Sequence, residues 1–85
     1  MRHICVLGST GSIGVSTLDV IRAHPHLFKV ESLTAHSNIE LLAKQCAEFK
    51  PRMVALGSAD AANRLNAQLK TMGLNISVEH GAQAL

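Results

Sequence analysis

The sequence predicts an α/β fold, a parallel sheet with helices on both faces, of which this chain supplies the order β-α-β-α-β-α-β. Three observations carry that prediction. Apolar runs short enough to be strands alternate with longer stretches of helical period. The connections between them are short, so consecutive strands joined through a helix must run parallel, with right-handed crossovers. The first turn is glycine-rich, entered from a strand and left through a helix, which is the local context of a Rossmann-like unit.

Taken in order, the first strand runs from His3 to Leu7 and is apolar on both faces, as a central parallel strand should be. The first helix spans Ser12 to His24. Ile13, Leu18 and Ile21, with Thr17, share its inner face, and Pro25 stops it. Asp19 on this helix has no evident partner and reads as solvated. The second strand is Phe28 to Ala35, with Phe28, Val30, Ser32 and Thr34 alternating against Lys29, Glu31 and Leu33. A second helix follows from Ile39 to Phe49. Its stripe is Ile39, Leu42, Cys46 and Phe49, its N-cap Ser37 or Asn38, and Pro51 closes it. Arg52 to Leu56 is a short third strand, and Gly57-Ser58 turns the chain into a third helix, Ala59 to Met72. Ala62, Leu65, Leu69 and Met72 face its core, and Gly73 ends it. Asn75 to Glu79 is a fourth strand, ended by Gly81, and Ala82 to Leu85 begins another helix.

The stretch Val6-Leu7-Gly8-Ser9-Thr10-Gly11-Ser12-Ile13-Gly14 carries the chemistry. Gly8 allows the sharp turn, because glycine alone accepts positive φ at no steric cost. Gly11 lets backbone approach a diphosphate. Gly14 lets the helix lie close on the sheet. The helix start points backbone N–H groups and its positive dipole end at phosphate oxygens, and Thr10 and Ser12 add hydroxyl donors. The usual first glycine would fall at Ser9. Gly8 comes one residue earlier, so the loop is of the longer G-x-x-G-x-x-G kind. No Gly-Lys-Ser/Thr follows, which disfavours a P-loop.

The end of the second strand selects the cofactor. An acid there would bind the ribose hydroxyls of NAD and repel the extra phosphate of NADP. The chain instead reads Thr34-Ala35-His36-Ser37-Asn38, with no acid, which favours NADPH. Ser37 and Asn38, at the start of the second helix, supply donors for a second anion, and His36 adds charge when protonated. The same two residues would also serve as a plain helix cap.

Composition excludes several other classes. A net charge of +2 is too small and too scattered for nucleic-acid or membrane partners, and two Phe with no Trp or Tyr give no stacking platform. Cys5, in a strand, and Cys46, in a helix, read as core residues of a reducing, cytoplasmic protein rather than as a disulfide. No signal peptide, transit peptide or membrane-length span is expected. His3, His24, His26 and His80 lack metal-ligand spacing, and Ser9 and Ser16 have no base near them in sequence. No catalytic or metal-ligating residue is therefore assigned. At 85 residues the chain is one small domain at most, burying only about 60–65% of its unfolded surface.

Leu7 to Gly14 followed by Ser16-Thr17-Leu18-Asp19-Val20, with Asn38, Leu42-x-x-Gln45 and Phe49-x-Pro51, resembles the start of the 1-deoxy-D-xylulose 5-phosphate reductoisomerases. The resemblance implies the N-terminal part of an NADPH-binding Rossmann-like domain over residues 1–85, with catalytic and helical C-terminal domains beyond it. It implies conversion of a sugar phosphate, deoxyxylulose phosphate, to 2-C-methyl-D-erythritol 4-phosphate in non-mevalonate isoprenoid synthesis. It further implies a divalent metal, Mg or Mn, with its ligands past Leu85, and a homodimer as the intact protein. By the same resemblance Thr10, Gly11, Ser12 and Ile13 serve the diphosphate, and His36, Ser37 and Asn38 the adenosine 2′-phosphate. Members of the family usually carry glycine where this chain has His36, so that histidine is a departure. The competing readings are a non-catalytic NAD(P)-sensing module and a different reductase with the same loop, such as a semialdehyde dehydrogenase. The first strand, lacking its next neighbour, is expected to be an unpaired apolar edge that leaves the 85-residue chain poorly stable or associating.

Overall fold

A computed structural model describes residues 2–36 and 38–81. All seven expected elements form in the expected order: β1 (Arg2–Val6), α1 (Ser12–Ala23), β2 (Phe28–Ala35), α2 (Ile39–Phe49), β3 (Met53–Leu56), α3 (Ala59–Thr71) and β4 (Ser77–His80). The further helical turn expected at residues 82–85 lies outside the described residues. Strand β4 starts two residues later than the sequence suggests, because the end of α3 uses the chain up to Leu74. Gly73, at φ +75°, donates its N–H to Lys70 O, and Leu74 donates to Leu69 O. That pair of bonds is a Schellman closure, which needs a left-handed residue at the glycine.

The four strands form one parallel sheet in the order β1-β2-β3-β4. Each step moves one strand further in the same direction. Right-handed crossovers then place every helix on the same side. The burial pattern agrees. Leu18 and Ile21 of α1, Leu42 and Cys46 of α2, and Ala62, Leu65 and Leu69 of α3 form one cluster. They close over Val6, Val30, Leu33, Ala35, Val54 and Leu56 of the strands. Leu33, Leu42, Leu56 and Leu65 are wholly buried, each contributing about 2 kcal/mol of transfer free energy. The α/β class and the parallel, Rossmann-like sheet are thus as expected, while helices on both faces are not seen among the described residues. Helices reach the second face only after the chain reverses its direction along the sheet, and these four strands never reverse.

The bare face corrects several expectations. Cys5 is exposed, not buried, because it points to that face beside Glu31, Ser32, Met53 and Ser77. His3 Nδ1 bonds Glu31 Oε1 there at 2.7 Å, a contact that holds the Glu31 carboxyl below its usual range. Cys46 is buried as expected, and desolvation pushes its thiol up to about 12. The alternation along β2 also breaks. Ile4 pairs with Val30 but Cys5 pairs with Ser32, so Glu31 is skipped and Leu33 and Ala35 join Val30 on the core side. On α1 the buried residues are Gly14, Leu18 and Ile21, whereas Ile13 is 83% exposed. At 100° per residue the positions 13, 17 and 20 share one flank and 14, 18 and 21 another. Met72 likewise falls outside the α3 stripe, at the helix cap. Asp19 is exposed but not alone, since Arg22 bonds it and also reaches across to Glu48 of α2.

Candidate nucleotide site

The glycine loop leaves the carboxyl end of β1 and is pinned from two sides. Gly8 turns at φ +67°. Its N–H donates to Thr34 Oγ1 at 2.9 Å, and the Ser9 N–H donates to Thr34 O at 2.8 Å. Gly11 N–H closes the turn on Gly8 O at 3.0 Å. From the α2 side, Gln45 Nε2 donates to Ser9 O at 2.8 Å. Ser9 and Gln45 are both buried, and among the described residues Ser9 Oγ and Gln45 Oε1 find no hydrogen-bond partner. Gly14 sits directly behind the loop. An added Cβ there would stand 2.2 Å from Gly8 O and 2.7 Å from Ser9 Cα, so only glycine lets α1 approach this closely.

The three helix starts differ. Asn38 Oδ1 accepts from Leu41 N–H and caps α2, and Ser58 Oγ accepts from Ala61 N–H and caps α3. The N-cap of α1 is Gly11, which has no side chain, and no side chain caps the helix. Among the described residues, no side chain therefore engages its first amides. The orphan N–H groups and the positive dipole end of a helix together suit an anion. An added Cβ at Gly11 would meet only Gly8 O, at 3.4 Å, so the approach to those amides is open.

A groove of about 490 Å³ runs past this point, lined by Leu7, Gly8, Thr10, Gly11, Thr34, Ala35 and His36. It joins the glycine loop to the end of β2, and none of its lining residues is acidic. Of the residues singled out in the sequence, Gly8, Thr10, Gly11 and His36 meet here. Gly14 lies behind the loop as packing. Ser12 and Ile13 open onto the neighbouring flank of α1, with Ser16, Thr17 and Val20. Asn38 is exposed and engaged as the cap of α2. Ser37 lies outside the described residues.

Sequence reasoning missed two supports. Thr34 holds the loop through both its hydroxyl and its carbonyl, and Gln45 holds it from below. The available signal for Gln45 was a polar side chain set next to Cys46 and three residues after Leu42 on a buried stripe, where burial demands a partner.

Fold and loop define a Rossmann-like unit with a glycine-rich turn at the carboxyl end of its first strand. Comparison with known proteins narrows that class. The family model for 1-deoxy-D-xylulose 5-phosphate reductoisomerase matches residues 4–85, and the chain belongs to that family. The reductoisomerase of Janthinobacterium sp. (strain Marseille) is 53% identical over all of this chain, and that of Cupriavidus metallidurans 47%. Each is covered over 22% of its own length, so the chain spans about a fifth of these relatives. A crystal structure of DOX-P reductoisomerase in complex with NADPH, fosmidomycin and magnesium superposes with a TM-score of 0.93. It is 31% identical, covering 99% of this chain and 20% of that one. The Zymomonas mobilis enzyme in complex with NADPH gives 0.88 at 34% identity, over 98% of this chain and 21% of that one. Among the described residues no helix is long and apolar enough to cross a membrane.

Proposed function

We propose that this chain forms the adenosine and diphosphate side of the cofactor site in an NADPH-dependent reductoisomerase. That enzyme converts 1-deoxy-D-xylulose 5-phosphate to 2-C-methyl-D-erythritol 4-phosphate. The observation that carries the reading is the uncapped start of α1 facing a groove that also reaches His36. The α1 amides, with the hydroxyls of Thr10 and Ser12, hold the diphosphate, and the exposed Ile13 flanks it. The loop after β2 receives the adenosine 2′-phosphate through His36, Ser37 and Asn38. The absence of an acid among the groove's lining residues supports NADPH over NADH, because a carboxylate there would repel the added phosphate.

When bound, NADPH supplies the hydride that reduces the aldehyde left by the carbon-skeleton rearrangement. The residues of this chain bind and orient; none of them is assigned to the chemical step. Among the described residues no group of three His, Cys, Asp or Glu is placed to hold a metal ion. On this reading the Mg or Mn of the reaction is held by residues past Leu85. The same reading takes the enzyme to be a cytoplasmic homodimer. The free thiols of Cys5 and Cys46 suit a reducing compartment.

The test is a fluorescence titration of the complete gene product with NADPH and NADH. Turnover of deoxyxylulose phosphate with Mg²⁺ or Mn²⁺ is then measured. NADPH should bind about tenfold or more tightly than NADH, the worth of one or two hydrogen bonds to a charged phosphate. Binding with no turnover would favour a nucleotide sensor instead, and no binding of either nucleotide would overturn the reading.

A further inference from the structure

Ala35 and Leu56 are register partners on β2 and β3. The next residue on each strand, His36 and Gly57, leaves the same carboxyl end of the sheet. Gly57 is the residue whose glycine identity the glycine loop does not explain. Its φ is not in the left-handed region, which among the described glycines is adopted by Gly8, Gly73 and Gly81. Backbone conformation therefore does not require glycine at position 57. Space does. A Cβ built on Gly57 would stand 2.9 Å from Nδ1 and 3.3 Å from Cε1 of His36. The remaining neighbour, His36 O, is at 3.8 Å, an ordinary contact. The imidazole rests with its Nδ1–Cε1 edge in the volume that any other residue at 57 would fill.

We propose that Gly57 is a positioning residue for cofactor choice. Its missing side chain lets the His36 ring lie against the turn that follows β3, at the rim of the groove. A side chain at 57 lifts the ring out of that place and weakens discrimination at the adenosine 2′ position. This inference rests on the NADPH reading above and adds a residue outside the glycine loop and the β2–α2 turn.

The contact predicts a separable phenotype. The atoms that a Cβ at 57 would meet most closely belong to an exposed side chain that can change rotamer, so Gly57→Ala should leave the fold intact. It should lower the ratio of NADH to NADPH dissociation constants about tenfold, the worth of one hydrogen bond to a charged group. His36→Gly should lower the ratio to a similar extent. In the double variant His36→Gly/Gly57→Ala the second substitution should add nothing, since there is no ring left to displace. The experiment is calorimetric titration of the complete gene product and these three variants with both nucleotides, alongside melting curves and the His36 ring resonances in NMR spectra. A move of those resonances in Gly57→Ala without ligand, with an unchanged melting temperature, is the expected signature. An unchanged ratio in Gly57→Ala would overturn the proposal. So would an equal drop with and without His36. If wild type prefers NADPH and Gly57→Ala prefers it by the same ratio, this inference alone fails; if wild type binds neither nucleotide, the functional reading fails and takes the inference with it.

Discussion

Gly14 and Gly11 are three residues apart in one motif and have different physical jobs. An alanine Cβ at 14 would collide with Gly8 O and Ser9 Cα, at 2.2 and 2.7 Å, and both are backbone atoms that cannot swing aside. Gly14→Ala must therefore push α1 or the loop away from its place, at about 1–3 kcal/mol for an overpacked site. At 11 the nearest atom is 3.4 Å away and φ is −80°, which alanine adopts freely. Gly11→Ala should keep the wild-type melting temperature and lose NADPH affinity only, because its methyl group projects where the anion must approach. Melting curves and NADPH titrations of the two variants separate the roles. Equal losses of stability would show that the close packing of α1 is not what Gly14 provides. The turn at Gly8 and the close packing at Gly14 could be read in advance because they are hard-sphere constraints within nine residues of chain. The exposure of Ile13 could not, since Gly14 marks the buried flank of α1 without any apolar signal of its own.

Between elements, the loop is held less by its own residues than by what β2 and α2 send to it. Thr34 and Gln45 are 26 and 36 residues distant in sequence from their partners Gly8 and Ser9. Gln45→Leu removes the donor to Ser9 O together with the unpartnered Oε1, so the net cost should be about 1–2 kcal/mol. Gln45→Glu is the harsher change, because it turns a buried carboxylate toward a carbonyl oxygen. Such a carboxyl has its folded pKa raised above the unfolded value. The deficit of Gln45→Glu should therefore be full at neutral pH. It should shrink as pH falls through the raised value, where the protonated acid can donate to Ser9 O. Urea melts at two pH values measure this, and a Glu variant no worse than Leu at neutral pH would refute the contact. Element order and type were legible from period, glycine and proline, and β2 and α2 have the expected bounds. Sidedness was not. The skipped residue at Glu31 moves Leu33 and Ala35 to the core face, and strict alternation cannot announce a bulge. Cys5 was misjudged for a related reason, since an apolar strand looks buried on both sides whether or not a second layer of helices covers it.

At the scale of the whole molecule, three helices on one face leave the sheet with an open side and an edge. Strand β1 pairs only with β2 among the described residues, so its outer N–H and C=O groups have no strand partner there. Beside that edge Leu7, Ile13 and Val20 are 72%, 83% and 56% exposed. The chain also spans only about a fifth of its relatives' length. An unpaired edge next to apolar side chains is a template for strand addition. The 85-residue polypeptide on its own should therefore self-associate at tens of micromolar, in the range where exposed strand edges find each other. Light scattering after size exclusion should give masses above the 9.1 kDa monomer, rising with concentration. Val20→Lys places a charge in the apolar stripe without touching the loop or the core, and should shift the population toward monomer while leaving the helical circular-dichroism signal unchanged. A wild-type chain that stays at 9.1 kDa and melts cooperatively at every concentration would mean that the edge is already protected by the short, polar start of β1, Arg2 and His3. In that case the seven elements form a self-sufficient unit, and the one-sided core is enough to hold it.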